Sequence, residues 1–257
     1  MFSFWAMDKT PDQKSATFLF YGELNDFLPL KKKSQPIAIY FRGRQSVKHL
    51  IESLGVPHVE VGKMLVDNHS AIDFNYLVND QEWLYIYPPT IPIPLPQTAN
   101  FPTEEVCRFV VDNHLGRLAA YLRMFGFDTI YHPDIQDEEL AQIADQDERI
   151  LLTRDHRLLM RSCIHYGYWV RSKLPAEQIR EIIQRWDLAR HIRPFRRCIR
   201  CNGLLTPIQK DLIIDKLQPL TKKYFDDFHI CQNCHQIYWR GSHFDRMVNF
   251  INHTLQE

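Results

Sequence analysis

The chain has no excess charge of either sign: 31 Lys and Arg balance 31 Asp and Glu over 257 residues. That excludes a global field drawing in nucleic acid or an anionic surface, so a polyanion has to be met by local basic patches. No long apolar run is present either. Residues 1–16 include Phe4 and Trp5 but also Asp8, Lys9 and Asp12, too short and too charged for a signal peptide or a membrane span. Cysteine is scarce, six in all, and four of the six fall in two Cys-x-x-Cys pairs, which does not suit a disulfide-stapled secreted fold. There is no internal repeat, and the one biased stretch is Pro88–Pro96. The expectation is a cytoplasmic chain whose 45% hydrophobic content fills two modest cores and a metal-stapled module.

What is present in the middle of the chain is an alternation of strands and helices. Glu105–Val111 is a β-branched and aromatic run ending at Asp112. Leu115, Leu118, Ala119 and Leu122 then repeat at helical spacing, with Gly126 placed as the left-handed stop. Phe127–Tyr131 is a second strand, Asp137 stands as an N-cap before Leu140 and Ile143, and Ile150–Thr153 is a third strand with Asp155 two residues beyond. Tyr166–Arg171 is a fourth, and Pro175 opens an amphipathic helix through Ile179, Ile182, Ile183 and Trp186. The pattern predicts an open parallel sheet flanked by helices, in which groups past the carboxyl ends of strands line one crevice.

Asp112, Asp137 and Asp155 each follow such a strand. Taken singly, each has a plain role: Asp112 and Asp137 as helix caps, Asp155 as a turn residue. Taken together, their shared topological position favours a hard-cation site. Carboxylates suit Mg²⁺ or Mn²⁺, which retain waters and can clamp a phosphodiester without a covalent nucleophile. Thr153 is placed to hold a water or phosphate there, or to serve structurally. Arg117 and Arg123 lie off the apolar stripe of their helix, as phosphate contacts or as solvated charges.

Cys198, Cys201, Cys231 and Cys234 have the spacing of a four-thiolate zinc ribbon, whose four thiolates already close the site and so disfavour His229 and His235 as ligands, with plain thiol roles for Cys107 and Cys163. Arg185, Arg190, Arg193, Arg196, Arg197 and Arg200 concentrate beside the first pair, with His191 among them. They are read as a clamp on a nucleic-acid backbone, Arg193, Arg196 and Arg197 foremost, or as a solvated helix end. Tyr238, Trp239 and His243 could stack on unpaired bases or form the ribbon's small core, with the core favoured for Trp239.

The strings Phe109–Asp128, Asp137–Leu140 and Arg149–Asp155, with the paired Cys-x-x-Cys knuckles and Tyr238–His243, resemble the PIN-like ribonuclease domain known as the Mut-seven C-terminal RNase domain, over residues 103–250. The resemblance implies metal-dependent RNA cleavage with Asp112, Asp137 and Asp155 as Mg or Mn ligands. A full site of that kind usually has a fourth acid, for which Glu138 and then Asp134 are the local candidates. The contrasting expectation is a non-catalytic RNA- or protein-binding module that retains the fold.

In the N-terminal third, Ala16–Tyr21 and Ile37–Phe41 form a hairpin, Ser46 caps a helix with Val47, Leu50, Ile51 and Leu54 inward, and Val61–Val66 and Trp83–Tyr87 are further strands. This order resembles the ubiquitin-like β-grasp domain that accompanies the RNase in some bacterial proteins, itself similar to sulphur carriers. Such carriers end in a free Gly-Gly; here Tyr87-Pro-Pro89 continues onward, which excludes thiocarboxylate chemistry and leaves docking of a protein partner or RNA positioning. The expected organisation is a flexible 1–15, a β-grasp domain at 16–88, a semi-rigid polyproline linker at 89–103, a PIN-like α/β domain at 104–192, and a zinc ribbon with a terminal helix at 193–257.

Overall fold

A computed structural model describes residues 13–93 and 107–256. Of the flexible N-terminus expected at 1–15, residues 1–12 lie outside these residues and Gln13, Lys14 and Ser15 are strand, not flexible; most of the linker expected at 89–103 also lies outside them. The described chain forms two compact units, one of residues 13–90 with Asp155–Trp169, the other of residues 91–93, 107–154 and 170–256.

In the first unit, β1 (Gln13–Phe20) turns Ala16, Phe18 and Phe20 inward at the strand period of two. It begins at Gln13, before the apolar run, because backbone pairing with β2 (Ile37–Arg42) continues through Gln13 opposite Arg42. Ser46 caps α1 (Val47–Ser53), its Oγ accepting from the His49 N–H at 3.3 Å, and the helix buries Val47, Leu50 and Ile51. β3 (Lys63–Val66), a two-residue β4 (Ser70–Ala71) and β5 (Trp83–Tyr87) complete a sheet ordered β2-β1-β5-β3-β4, with β5 parallel to β1. Hairpin, helix, and a last strand parallel to the first constitute a β-grasp. Phe18, Leu24, Ile51, Leu84 and Ile86 are fully buried in its core, each contributing about 1.5–3 kcal/mol by the usual burial scale.

The second unit opens with β6 (Arg108–Val111), α2 (Gly116–Met124), β7 (Asp128–Ile130), α3 (Asp137–Gln146) and β8 (Ile150–Thr153). β6 pairs in parallel with β7 on one side and β8 on the other, and its Phe109, Val110 and Val111 are fully buried, as in a parallel sheet packed on both faces. Within this unit the strand order is β7-β6-β8, and α4 (Pro175–Arg185) follows, while β9 (Gly167–Trp169) belongs to the first unit. Gly126 takes φ +98°, and a Cβ there would lie 2.0 Å from the Arg193 carbonyl oxygen, so the helix stop admits no side chain. The first strand is shorter than its apolar run, starting at Arg108, and Glu105 lies outside the described residues.

An antiparallel ribbon β10 (Leu205–Ile208), β11 (Phe228–Cys231) and β12 (Ile237–Trp239) follows, with α5 (Pro219–Tyr224) between the first two strands and α6 (Ser242–Gln256) at the end. Trp239 is not its core: it is 39% exposed, because Ile213, Leu217 and Phe228 already fill the interior. Among the described residues, no helix is long and apolar enough to cross a membrane.

Candidate functional site

Asp112 ends the central strand of the parallel sheet and is 5% exposed. Its Oδ2 accepts from Thr153 Oγ1 at 2.6 Å, and its Oδ1 accepts from the His114 N–H at 3.2 Å. The plain role holds, since Asp112 caps the short 3-10 turn Asn113–Leu115. Each carboxylate oxygen still has lone-pair capacity beyond its one hydrogen bond. Beside it, Asn113 Oδ1 is buried without a hydrogen-bond partner, while the Asn113 carbonyl accepts from Tyr131 Oη at 3.1 Å. A Cβ on Gly116 would lie 2.6 Å from that tyrosine oxygen, so glycine is what lets Tyr131 close over the turn. The Asp112 carboxylate oxygens are hard donors of the kind Mg²⁺ or Mn²⁺ takes.

Asp137 is not an N-cap. The cap position is Gln136, whose side chain makes no capping bond, and Asp137 is the first helical residue, exposed beside Glu138 and Glu139. Three acids in that first turn suit the positive end of the helix dipole. Asp155 is exposed and opens a turn, accepting from the Arg157 N–H at 2.9 Å on Oδ1 and from the Leu158 N–H at 3.2 Å on its carbonyl. It belongs to the first compact unit, whereas Asp112 and Asp137 belong to the second. Asp134 is exposed in the turn before α3. Among the described residues, no three carboxylates have oxygens all within 4.8 Å of one another. Mg²⁺ often takes only one or two carboxylates and keeps its waters, so its chemistry does not demand that grouping.

The four cysteines do meet it: their Sγ atoms all lie within 4.8 Å, with Cys201–Cys231 at 3.4 Å and Cys198–Cys234 at 3.6 Å. Zn–S bonds of about 2.3 Å at tetrahedral angles put sulfurs about 3.8 Å apart, close to these values. No disulfide joins them. The sequence builds each knuckle locally: Asn202 N–H bonds the Cys198 carbonyl, and the N–H groups of Asn233 and Cys234 point at Cys231 Sγ at 3.4 and 3.5 Å. Burial works to raise the Cys231 thiol, but the Cys234 and Asn233 N–H groups outweigh it and bring it down to about 7; burial among neighbouring thiols pushes Cys201 up to about 12. The set is fit to hold a metal ion such as zinc. Neither His229 nor His235 belongs to it, and Cys107 and Cys163 are also apart from it.

The arginines divide sharply. Arg123 is 4% exposed and donates to the carbonyls of Thr129, Ile199 and Arg200, tying α2 to the first knuckle. Arg197, expected at RNA, is 8% exposed; it donates to the Asn202 carbonyl at 3.0 Å and pairs with Asp128 Oδ2 at 3.4 Å. Asp128 also accepts from Arg149 Nη1 and Asn202 Nδ2, both at 2.8 Å. Burial alone would raise its carboxyl, yet the Arg149 bond and charge, with Arg197, hold it below the usual carboxylate range. Arg185 is buried as well. Thus Arg123, Arg185 and Arg197 are structural, while Arg117, Arg190, Arg193 and Arg200 are exposed and Arg196 is half-buried. Arg190 pairs with Asp187, and Arg200 donates to Gln236.

A family model described as the Mut7-C RNAse domain matches residues 107–251, more than half of the chain, and one described as Mut7-C ubiquitin matches residues 13–93. The chain belongs to the Mut7-C RNase domain family. No curated protein and no solved structure matches it. The Mut7-C match runs through Asp112, Asp137, Asp155 and all four cysteines, so acids and knuckles are parts of one family unit, and that family is a nuclease-like one. Within that match, Asp155–Trp169 nevertheless packs as part of the β-grasp unit. The Asp128–Arg149–Arg197–Asn202 network of this Mut7-C domain is not signalled by sequence: its members are scattered, and only burial distinguishes their charges from solvated ones.

Proposed function

We propose that this protein is a metal-dependent ribonuclease that cleaves RNA phosphodiester bonds, with Asp112, Asp137 and Asp155 as ligands of Mg²⁺ or Mn²⁺ and the four cysteines as ligands of a structural Zn²⁺. The observation that carries the proposal is Asp112, a carboxylate nearly buried at the end of a central parallel strand and oriented from both sides by Thr153 and His114. A burial cost of that kind is met by function more readily than by a turn cap alone, which an exposed Asp serves equally well. A divalent cation held there supplies an acidified water and neutralises charge on the phosphate. Thr153 fixes the Asp112 rotamer, Asn113 offers a buried amide oxygen beside it, and Asp155 is held by the Arg157 N–H. Glu138 is the fourth acid best placed in sequence. RNA is the partner, met by Arg117, Arg193 and Arg196 and not by Arg197, whose guanidinium is committed to Asp128 and Asn202. Action in the cytoplasm, and a protein partner through the β-grasp, complete the proposal.

One observation favours a second class, a binding module without catalysis: no carboxylate trio among the described residues is drawn as close as the cysteines are. Incubating the purified protein with single-stranded RNA in Mn²⁺, in Mg²⁺ and in chelator separates the two. Metal-dependent cleavage supports the ribonuclease; RNA retention without cleavage under every metal supports the module.

A further inference from the structure

We propose that the β-grasp module braces the segment Asp155–Trp169, and that Glu60, His58 and Phe27 are the positioning residues that hold this stretch, and hence Asp155, in place; the catalytic consequence rests on the ribonuclease proposal, the brace itself does not. That segment has little regular structure of its own, only the 3-10 turn Leu158–Met160 and the three residues of β9. Ordering such a stretch costs backbone entropy, which anchors from elsewhere in its compact unit help to offset. They come from the β-grasp.

Glu60, in the 3-10 turn His58–Glu60, has no exposed surface at all, and its Oε1 accepts from the Trp169 N–H at 2.7 Å. A carboxylate taken wholly out of water requires donors, and a β-strand N–H is a donor that requires an acceptor. His58 bridges the same two parts, its Nδ1 2.7 Å from Glu52 Oε1 and its Nε2 3.0 Å from the Ile164 carbonyl oxygen. Phe27 packs its ring against Trp169 at 5.0 Å and against His156 at 6.1 Å, and His156 in turn meets Trp169 edge-on at 6.3 Å. Leu158, Leu159 and Ile164 are buried in the same stretch. An acceptor, a bridging ring and an aromatic contact thus fix the segment near its start, middle and end. A docking module of independent function would not need a carboxylate such as Glu60 to be wholly buried.

Hydrogen exchange of the full-length chain tests the brace. In Glu60→Ala, and independently in Phe27→Ala, which truncates a half-buried ring, peptides covering 156–169 should exchange about ten- to a hundredfold faster than in the parent, as expected when a hydrogen bond to a charged group or an aromatic anchor is removed. Peptides of β1 and β8 serve as controls for a retained fold. Unchanged exchange of 156–169 in folded variants of both kinds overturns the brace. RNA cleavage is then read on the same samples. If the parent cleaves RNA, both variants should lose at least tenfold in kcat at saturating Mn²⁺; undiminished kcat with a loosened segment overturns the catalytic consequence. A parent that does not cleave RNA overturns the ribonuclease proposal, and the exchange result still decides the brace.

Discussion

Replacing Asp128 by Ala should be among the most damaging single changes in the second unit, although no part of the candidate metal site is touched. Its carboxylate is 14% exposed and neutralises Arg149 and Arg197, themselves almost buried, while accepting from Asn202. Removing one member of a buried ion network leaves the others charged and unpaired, which costs about 3–5 kcal/mol. For a unit of this size each kcal/mol lowers Tm by about 2–4 °C, so a fall of about 6–20 °C is expected by circular dichroism. Asp134→Ala, exposed in the turn before α3, should change stability by no more than about 0.5 kcal/mol. The pH dependence has a definite sign. Because the folded carboxyl is held below its usual value, its contribution is fully present above the unfolded pKa of about 3.9 and is lost as pH falls below that toward the folded pKa. The difference in stability between parent and Asp128→Ala should therefore be constant near neutrality and shrink on acidification below that value. A Tm for Asp128→Ala within about 3 °C of the parent at neutral pH would refute the network's role.

The other predictions concern the knuckles and the surface arginines. Elemental analysis should find about one zinc per chain, and Cys231→Ser should lose it and unfold the ribbon before the β-grasp; a zinc-free protein with four oxidised cysteines would contradict this. Neutralising Arg193 and Arg196 together should flatten the dependence of log RNA affinity on log salt by about 0.7 for each phosphate no longer neutralised, whereas Arg197→Gln should lower stability and leave that slope alone. Equal slopes for the double variant and the parent would place RNA elsewhere, with Lys31, Lys32 and Lys33 the next surface to examine.

The elements with strong local signals were legible from residues alone. The apolar stripe closed by Gly126, the Ser46 cap and the continuous run Ile150–Thr153 all sit where their periodicity and capping chemistry place them. Two residues of β4, by contrast, carry no period, and they pair only because β3 lies beside them. Asp137 shows the limit of cap assignment: Asp and Gln compete for adjacent positions, and the helix took Gln136 as its cap while using the acids within its first turn. The four cysteines were legible as one group because their ligand spacing is local to each knuckle. Charge was the poorest guide. Arg117 and Arg123 share one helix and one residue type, yet Arg123 is buried against carbonyls 76 and 77 residues away in sequence. The same long-range packing claims Arg197 and Glu60, and nothing in their neighbours along the chain announces it.

The central claim is that a divalent cation held by these carboxylates cleaves RNA, and Asp112→Asn tests it most directly because the substitution preserves side-chain shape while removing the charge. With zinc content and circular dichroism matching the parent, this variant should lose Mn²⁺-dependent cleavage of single-stranded RNA by at least a hundredfold, about 2.7 kcal/mol in the barrier. Cleavage by the folded variant at the parent's rate would contradict the account.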